Sequence, residues 1–245
     1  VGPGMEREKV NNAIQQQMAD LAPYAYAITT ALNVKDKGAK GDNSTDDTVA
    51  FQAAIDQAIA ERRALFIPAH AVGAAYKITA PLTVSGPLSI IGQHPNYCTI
   101  FATGLATDDH IFEVDLTAGT NEYLFVQNVT FRSNNNAPDG VRLKNISYVL
   151  FDNVQVYGVR DALTIEGTVC FSNTFRNFTA YTVSRYGVYF KAFTGGGHYK
   201  FDASTFTGDT GFFIDNTSSI TQLTPDPCNF EQCVTTSMRV EGIVK

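Results

Sequence analysis

The feature that most limits the fold of this chain is a pattern that repeats about every 25 residues from residue 124 to the end. Each unit opens with an apolar, strand-like run, and these runs begin at Val126, Phe151, Phe175, Phe201 and Phe230. A second run follows in each unit, at residues 141–144, 163–166, 188–191, 212–215 and 238–241. Short strands repeated at this period, without helices between them, indicate a β-solenoid in which each coil covers the apolar end of the previous one. Leucine-rich repeats share the period, but their leucine spacing is absent.

The composition agrees with a β-protein and excludes several kinds of partner. Charged residues make up 17% of the 245 residues, below the roughly 25% of an ordinary globular protein, and Thr, Ser, Asn and Gly are expected on the surface instead. The net charge is −6 and Lys and Arg are not clustered, so we expect neither nucleic acid nor an acidic membrane surface as a partner. No apolar run approaches the roughly 18 residues of a membrane span, so we expect no membrane insertion.

The cysteines and histidines predict no cofactor. Cys98, Cys170, Cys228 and Cys233 form neither paired CxxC units nor a dense disulfide framework, and we expect free, mostly buried thiols. The histidines are scattered along the chain. We therefore predict neither a metal site nor another cofactor.

Residues 1–33 are predicted to lie outside the solenoid. Residues 1–4 resemble a cloning remnant. Apolar residues then recur at helical spacing, at Val10, Ile14, Met18 and Leu21. They predict an N-terminal helix with a narrow apolar stripe, which either packs on its own domain or meets copies of itself. Pro23 ends this helix, so we assign residues 1–33 to the remnant and a helical stem or linker.

Residues 34–245 are predicted to form the solenoid, with residues 34–62 as its N-terminal cap. A glycine-marked turn leads into a helix that Thr45 or Asp46 can cap, and the pair Asp46-Asp47 lies where the helix dipole favours negative charge. Short β-rich runs follow the helix at residues 65–68, 76–78, 82–84 and 88–92.

The start of this cap carries a set of short motifs that together resemble a known family. The motifs are Gly38-Ala39-Lys40-Gly41-Asp42, Thr45-Asp46-Asp47-Thr48, Gln52-Ala53-Ala54-Ile55, Phe66-Ile67-Pro68 and Tyr76-Lys77-Ile78-Thr79. They resemble the opening of the pectate-lyase-like right-handed parallel β-helix superfamily, and the sequence is most similar to the bacteriophage tailspikes and capsule depolymerases within it. The resemblance covers about residue 34 to the end and is more specific for the fold than for the activity.

This resemblance implies an all-β fold: a single-stranded right-handed parallel β-helix with an N-terminal α-helix and a short capping helix. Because the opening motif caps the solenoid in that family, Asp46 and Asp47 are expected to be structural cap residues. The resemblance also implies a homotrimer on a phage tail, in contact with other tail proteins, where the N-terminal helix would meet the same helix of two sister chains. We expect such a protein to be made in the bacterial cytoplasm, carried in the virion and active at the host cell surface.

The sequence departs from the polygalacturonate hydrolases of the superfamily, which carry adjacent aspartates on a coil and a Gly-His-Gly turn. Here Asp108-Asp109 lies outside the clear repeats and Tyr199 follows His198. A plant-cell-wall hydrolase is therefore disfavoured. Many relatives are longer and nothing after Glu241 resembles a capping domain, so we expect a fragment or a processed product.

The outward residues of the second runs predict two stacked columns on one face. One column is Arg142, Thr164, Tyr189, Phe213 and Arg239, and the other is Lys144, Glu166, Lys191, Asp215 and Glu241. We expect Tyr189 and Phe213 to be exposed and, with Arg142 and Arg239, to bind substrate, because sugar faces stack on rings and sugar hydroxyls and carboxylates bind charged groups. The same face can instead be a salt-bridge ladder or a contact with a sister chain.

Hydrolysis is one reaction open to this face. Glu166 and Asp215 lie two coils apart, about 10 Å by backbone spacing, close to the roughly 6.5–9.5 Å of an inverting glycosidase. Lys191 lies between them and favours the ionised form of both, which opposes a general acid.

Elimination from a uronate is the other reaction. Arg142, Arg239 or Lys191 would neutralise the sugar carboxylate, and Tyr189 or Lys191 would take the proton.

The first runs predict two more columns. The outward residues Gln127, Asp152, Arg176, Asp202 and Glu231 are expected to form a charged ladder. If the aromatic column faces a threefold axis, this column becomes the better catalytic candidate, because Asp152 and Asp202 also flank a cation. The asparagines Asn128, Asn153 and Asn177 recur at one position and predict an inward amide ladder at the turn.

Together these observations predict a phage tailspike β-helix that binds, and in the intact protein depolymerises, a capsule or O-antigen polysaccharide during host attachment. An enzyme is favoured, either a polysaccharide lyase or a glycoside hydrolase, although the sequence contains no recognised catalytic motif. One alternative is a non-catalytic structural or adhesive tail β-helix. The second is a cellular polysaccharide lyase, against which the lack of a signal peptide counts.

Overall fold

The computed structural model describes residues 30–116, 123–134, 137–168, 172–194, 197–215, 218–220, 222–225, 228–241 and 243–244. The predicted N-terminal helix and the first 29 residues of the predicted stem lie outside these ranges, and the domain boundary at residue 34 stays a prediction. In the described ranges, none of the helices combines the length and apolar character that crossing a membrane requires.

Short strands make up most of the described chain, and the helical elements lie near its N-terminal end. They are the helix α1 (Thr48–Glu61) and two 3₁₀ turns at Val34–Lys37 and Pro95–Tyr97. The strands, in chain order, are β1 (Leu32–Asn33), β2 (Leu65–Ile67), β3 (Tyr76–Ile78), β4 (Leu82–Val84), β5 (Leu88–Gly92), β6 (Thr99–Ala102), β7 (His110–Asp115), β8 (Leu124–Gln127), β9 (Thr130–Arg132), β10 (Asp139–Lys144), β11 (Val149–Asp152), β12 (Gln155–Tyr157), β13 (Asp161–Gly167), β14 (Asn173–Arg176), β15 (Thr179–Tyr181), β16 (Tyr186–Phe193), β17 (His198–Asp202), β18 (Ser204–Ile214), β19 (Ser219–Ile220), β20 (Gln222–Pro225), β21 (Cys228–Val240) and β22 (Ile243–Val244). The predicted strand runs between residues 65 and 92 are confirmed as β2 to β5.

The strands pair in parallel and wind round one core. Sheet 1 has the order β1-β2-β5-β8-β11-β14-β17-β20. The longer sheet 2 has two faces, which we name face 2a (β3, β6, β9, β12 and β15) and face 2b (β4, β7, β10, β13 and β16). Strand β18 joins them, because its start pairs with β15 and its end with β16, and β21 pairs with both parts of β18. Successive coils thus add strands to sheet 1, face 2a and face 2b in turn, and the predicted all-β parallel β-helix is confirmed.

Stacked apolar side chains from successive coils fill the core. Val126, Phe151, Phe175 and Phe201 are in register on sheet 1, and all four are buried. The rings of Phe175 and Phe201 stack with centroids 4.6 Å apart, close to the roughly 4.8 Å between neighbouring strands. A slip of one residue would turn such rings to solvent, so the alternation of buried and outward side chains fixes the register of the coils.

Helix α1 covers the N-terminal end of the core. Its buried Phe51 packs edge-on against Tyr76 of the first coil, with ring centroids 5.2 Å apart. Ala54, Ile55 and Ala58, also on α1, are buried with it. The sequence predicted this helix as a cap, and it protects core residues that have no preceding coil to cover them.

The two aspartates before α1 bind different groups. Asp47 is buried, and its carboxylate accepts the backbone N–H groups of Lys40 at 2.7 Å and Gly41 at 3.0 Å. The Asp46 carboxylate accepts the backbone N–H of Thr48, the first residue of the helix, at 3.0 Å. Asp47, the N-cap residue, therefore holds the glycine-containing turn against the helix, and Asp46 satisfies the first backbone N–H of the helix.

The turns after β8, β11 and β14 each hold an asparagine in the left-handed region. The φ angles are 56° at Asn128, 56° at Asn153 and 50° at Asn177, a region that asparagine tolerates better than most residues. The Asn153 side chain donates through Nδ2 to Oδ1 of Asn128 at 2.8 Å. The predicted amide ladder is present between these two residues, but their side chains are partly exposed rather than inward.

The strands of face 2b begin earlier than the repeats predicted. Strands β10, β13 and β16 begin at Asp139, Asp161 and Tyr186, two residues before the predicted runs. Strand β7 pairs in register with β10 and belongs to the same face, although the sequence repeat is clear only from residue 124. Residues that lay outside the recognised repeat therefore reach the same surface as the predicted site residues.

Candidate functional site

A polar cleft of about 270 Å³ lies on face 2b. It is lined by Pro81, Asp108, Asp109, His110, Glu113, Arg142, Glu166 and Lys191. These residues come from the turns before β4 and β7 and from β7, β10, β13 and β16. Because nearly all of the lining side chains are polar or charged, the cleft suits a ligand that is itself rich in hydrogen-bonding groups.

Acidic residues at the starts of the face 2b strands stack beside this cleft. The parallel register places Asp139 next to His110, and the backbone N–H of Asp161 donates to Asp139 Oδ1 at 3.2 Å. Asp139 and Asp161 are both buried. Buried carboxylates need partners, and the residue before each strand in the next coil supplies one.

Two arginines each bind one of these carboxylates through two guanidinium nitrogens, Nε and Nη2. Arg160 donates to Asp139 through Nε at 2.9 Å and Nη2 at 2.7 Å, and it also pairs with Asp108. Arg185 donates to Asp161 through Nε at 2.8 Å and through Nη2. Planar two-point pairs of this kind fix the geometry of the wall and leave each arginine with little capacity for another anion.

Arg142 occupies the centre of the cleft between two glutamates. Its guanidinium binds Glu113 on the preceding coil and Glu166 on the following coil. A third carboxylate, Asp115, lies 3.8 Å from Arg142 Nη1 and accepts from Lys144 Nζ at 2.8 Å. The sequence predicted Arg142 as a substrate ligand and Glu166 as a catalytic carboxylate, but the structure joins them in one ion pair.

His110 lies at the base of the cleft and is only 9% exposed. Burial lowers the pKa of its imidazole; nearby Asp139 opposes this effect and Arg142 adds to it. His110 Nε2 lies 3.7 Å from Asp139 Oδ2. The imidazole is therefore neutral at pH 7 and able to accept a proton.

The prediction that the Phe213 ring is exposed is wrong. Phe213 is only 7% exposed, because Tyr186 stacks on its ring at 4.5 Å and Tyr189 lies 5.3 Å away. Guanidinium groups cover the two ends of this stack: Arg185 lies 4.8 Å from the Tyr186 ring and Arg239 lies 5.4 Å from the Phe213 ring. The faces of these rings are thus occupied by one another and by arginine side chains. A sugar therefore cannot stack on Phe213 as the sequence suggested.

The structure places the remaining predicted catalytic residues in two different surroundings. Lys191 lines the cleft with Glu166. Asp215 binds a turn instead, accepting the backbone N–H of Ala192 at 2.8 Å and the hydroxyl of Ser218 at 2.7 Å. Glu166 and Asp215 therefore do not meet in one cleft as an acid and base would.

Tyr189 lies beside the cleft on β16, next to Thr164 in the register. Burial raises the pKa of Tyr189 to about 12. Its phenol keeps its proton at neutral pH and can donate a hydrogen bond, which disfavours the predicted use of Tyr189 as a base.

The alternative aspartates on sheet 1 form part of a charged ladder. Asp152 accepts from Arg176 through Nε at 2.9 Å and Nη2 at 2.8 Å, and from Gln127 at 3.0 Å. Asp202 lies on the other side of Arg176 in the register and 3.6 Å from Lys200 Nζ. This arrangement agrees with the ladder interpretation of that column.

Sequence reasoning missed His110, Glu113, Asp139 and Asp161. The signal was present, because extending the second runs backwards by three residues aligns Pro138-Asp139-Gly140, Arg160-Asp161-Ala162 and Arg185-Tyr186-Gly187. These triplets share a small third residue, and in two of them Asp precedes it. Such an alignment would have placed carboxylates at the strand starts and arginines beside them.

Comparison with solved structures supports the fold. A Geobacillus virus E2 protein, ORF18, is 22% identical with a TM-score of 0.65, over 87% of this chain and 43% of that chain. The gp42 tailspike of Acinetobacter phage vb_AbaP_AS12 is 13% identical with a TM-score of 0.61, over 88% of this chain and 44% of that chain. The A-module of the mannuronan C-5 epimerase AlgE4 of Azotobacter vinelandii is 20% identical with a TM-score of 0.51, over 77% of this chain and 59% of that chain.

Comparison with known sequences gives a match to one protein over a short segment and a match to a family model over most of the chain. A protein of Arthroderma benhamiae named "Probable glucan endo-1,3-beta-glucosidase" is 41% identical over 78 residues, which are 32% of this chain and 8% of that protein. The family model "Rhamnogalacturonase A/epimerase, pectate lyase-like" matches residues 31–237, most of the chain. The resemblance drawn from the opening motifs is confirmed: the chain belongs to the rhamnogalacturonase A/epimerase, pectate lyase-like family.

Proposed function

We propose that this chain binds a bacterial surface polysaccharide, a capsule or an O-antigen, in the cleft of face 2b and depolymerises it there. The observation that carries the proposal is the cleft itself, where His110, Glu113, Arg142, Glu166 and Lys191 converge from four neighbouring strands. A concave site with several fixed donors and acceptors can hold the hydroxyl groups of a glycan in one orientation.

The named relatives support a carbohydrate ligand and a phage setting. The family model is named for a rhamnogalacturonase and an epimerase, and one similar structure is a mannuronan epimerase. Another similar structure is a phage tailspike. In our proposal the chain is part of a homotrimeric spike on the virion tail, in contact with other tail proteins, and acts at the host surface during attachment.

The chemistry of the proposed cleavage begins at His110. Because its imidazole is neutral at pH 7, it can take a proton from a sugar carbon or from water, which makes it a general base candidate. Lys191 lines the same cleft and Tyr189 lies beside it, and both can donate protons or hydrogen bonds. Glu166 contributes to substrate orientation through Arg142 in this scheme.

Binding without cleavage is the second candidate function, and one observation favours it. A glycosidase needs one carboxyl group that donates a proton. In this cleft Glu113 and Glu166 both bind the Arg142 guanidinium, an interaction that uses the carboxylate form. A chain arranged in this way serves as a glycan adhesin unless Asp109 or Lys191 supplies the acid.

Digestion of purified capsule and O-antigen polysaccharides separates these functions. Each polysaccharide is incubated with the wild-type chain and with His110→Gln, then analysed by size and by the absorbance of unsaturated uronates. We expect shortened product with the wild type and intact glycan with His110→Gln, while both proteins still bind. Binding without any shortening supports the adhesin, and absence of both binding and shortening across the panel overturns the proposal.

A further inference from the structure

The arginines around the cleft are already bound by carboxylates of the protein. Arg142 binds Glu113 and Glu166, Arg160 binds Asp139 and Asp108, and Arg185 binds Asp161. The ammonium group of Lys191 lies close enough to Asp108 to help lower the pKa of that carboxyl, although Arg160 is the main cause. A sugar carboxylate entering the cleft would therefore have to compete with these protein carboxylates for each arginine.

Such competition is unfavourable because two of the protein carboxylates are buried. Asp139 and Asp161 are 4% and 1% exposed, and each is held by two guanidinium nitrogens. Removing Arg160 or Arg185 from these partners would leave an unpaired charge in the protein interior. The arginines thus stabilise the wall and are poor ligands for an additional anion.

The charge of the lining also opposes an acidic ligand. Four carboxylates, of Asp108, Asp109, Glu113 and Glu166, line the cleft with only two permanent cations, Arg142 and Lys191. The Asp108 side chain is 78% exposed and lies at the rim of the cleft. A like charge that approaches this rim meets a lining with more negative than positive groups and is repelled.

We infer that the cleft selects a neutral glycan segment and rejects uronic acid residues, with Asp108 and Asp109 as the residues that determine this specificity. This inference rests on the proposed polysaccharide-binding function and names its substrate class. Of the two reactions that the sequence left open, it favours hydrolysis over elimination from a uronate.

The inference is tested with matched ligands that differ only in charge. A uronate-containing capsular polysaccharide and the same polysaccharide after chemical reduction of its carboxyl groups are compared for binding to the wild-type chain at low and high salt. We expect the reduced glycan to bind at least about tenfold more tightly at low salt, and the difference to shrink as salt screens the charges. Tighter binding of the acidic form would overturn the inference and leave the proposed function intact, whereas a chain that binds neither form nor any neutral O-antigen would overturn both.

A pair of variants assigns the effect to the rim of the cleft. The left-handed backbone at Asp108, with φ 75°, accepts asparagine, so Asp108→Asn with Asp109→Asn should fold normally. We expect this double variant to bind the acidic glycan several-fold more tightly than the wild type does. Asp36→Asn with Asp56→Asn removes the same charge from the exposed cap and should leave both affinities unchanged. Equal gains in the two double variants would overturn the assignment to Asp108 and Asp109.

Discussion

The carboxylate of Asp161 and the guanidinium of Arg185 form a two-point ion pair between neighbouring coils, with Asp161 almost completely buried. Asp161 also accepts the backbone N–H of Tyr186 at 3.2 Å. Arg185 in turn lies over the Tyr186 ring. One carboxylate thereby connects the acidic wall of the cleft to the aromatic stack beside it.

Loss of this pair should destabilise the solenoid measurably. Asp161→Asn leaves Arg185 without its charged partner, and we expect the free energy of unfolding to fall by about 3 kcal/mol, the lower end for a buried pair because Arg185 is partly exposed. Urea denaturation measures the loss. Lys200→Met, which breaks the exposed pair with Asp202, should cost less than about 1 kcal/mol. Equal losses in the two variants would contradict the burial argument.

Acidification should destabilise the protein through His110. Burial lowers its pKa in the folded state, so below the unfolded value of about 6.5 the unfolded chain binds more protons than the folded chain does. The stability present above that value is therefore lost as the pH falls towards the folded pKa. Urea midpoints measured from pH 7.5 to 5.5 should decline for the wild type and decline less for His110→Gln. Parallel curves for the two proteins would show that another group titrates.

Two substitutions at Asn153 distinguish the energetic cost of its left-handed backbone from the contribution of its hydrogen bond to Asn128. Asn153→Gly keeps the left-handed turn but removes the donor to Asn128, and we expect a loss of about 1 kcal/mol. Asn153→Ala adds the cost of a left-handed alanine, for a total of about 2 kcal/mol. Chemical denaturation of both variants gives the difference. A glycine variant less stable than the alanine variant would contradict this account.

Assembly gives a prediction that does not depend on any glycan. The proposed tail spike is a homotrimer, so sedimentation equilibrium should give three times the chain mass of 26.6 kDa. A single species at the mass of one chain, across the concentration range, would remove the trimer from the proposal.

The regular part of the fold could be predicted because it repeats. Phe151, Phe175 and Phe201 recur at a spacing typical of a solenoid, and the motif around Asp46 and Asp47 marks where the solenoid begins. Each of these features is local in sequence and is repeated or clustered. The observed cap and register follow from them directly.

The cleft was harder to predict because it depends on the corners of the coils. His110 precedes the clear repeats, and Asp139 and Asp161 precede the runs whose alternation was recognised. Pairing across coils, not spacing along the chain, brings these residues together.

The exposure of Phe213 was predicted wrongly for a similar reason. Strand alternation shows which way a side chain leaves the sheet, but it does not show what covers that side chain. Tyr186 stacks on the ring, and it comes from a strand start that the sequence pattern did not include.

The most direct test of the account measures glycan affinity after a change inside the cleft. A polysaccharide that binds the wild type is titrated against Lys191→Met, which alters the cleft, and against Lys37→Met, which removes the same charge from the exposed cap. The account predicts at least about a tenfold loss of affinity for Lys191→Met and none for Lys37→Met. Unchanged affinity for Lys191→Met, or equal losses in both variants, would contradict the placement of the binding site in the cleft of face 2b.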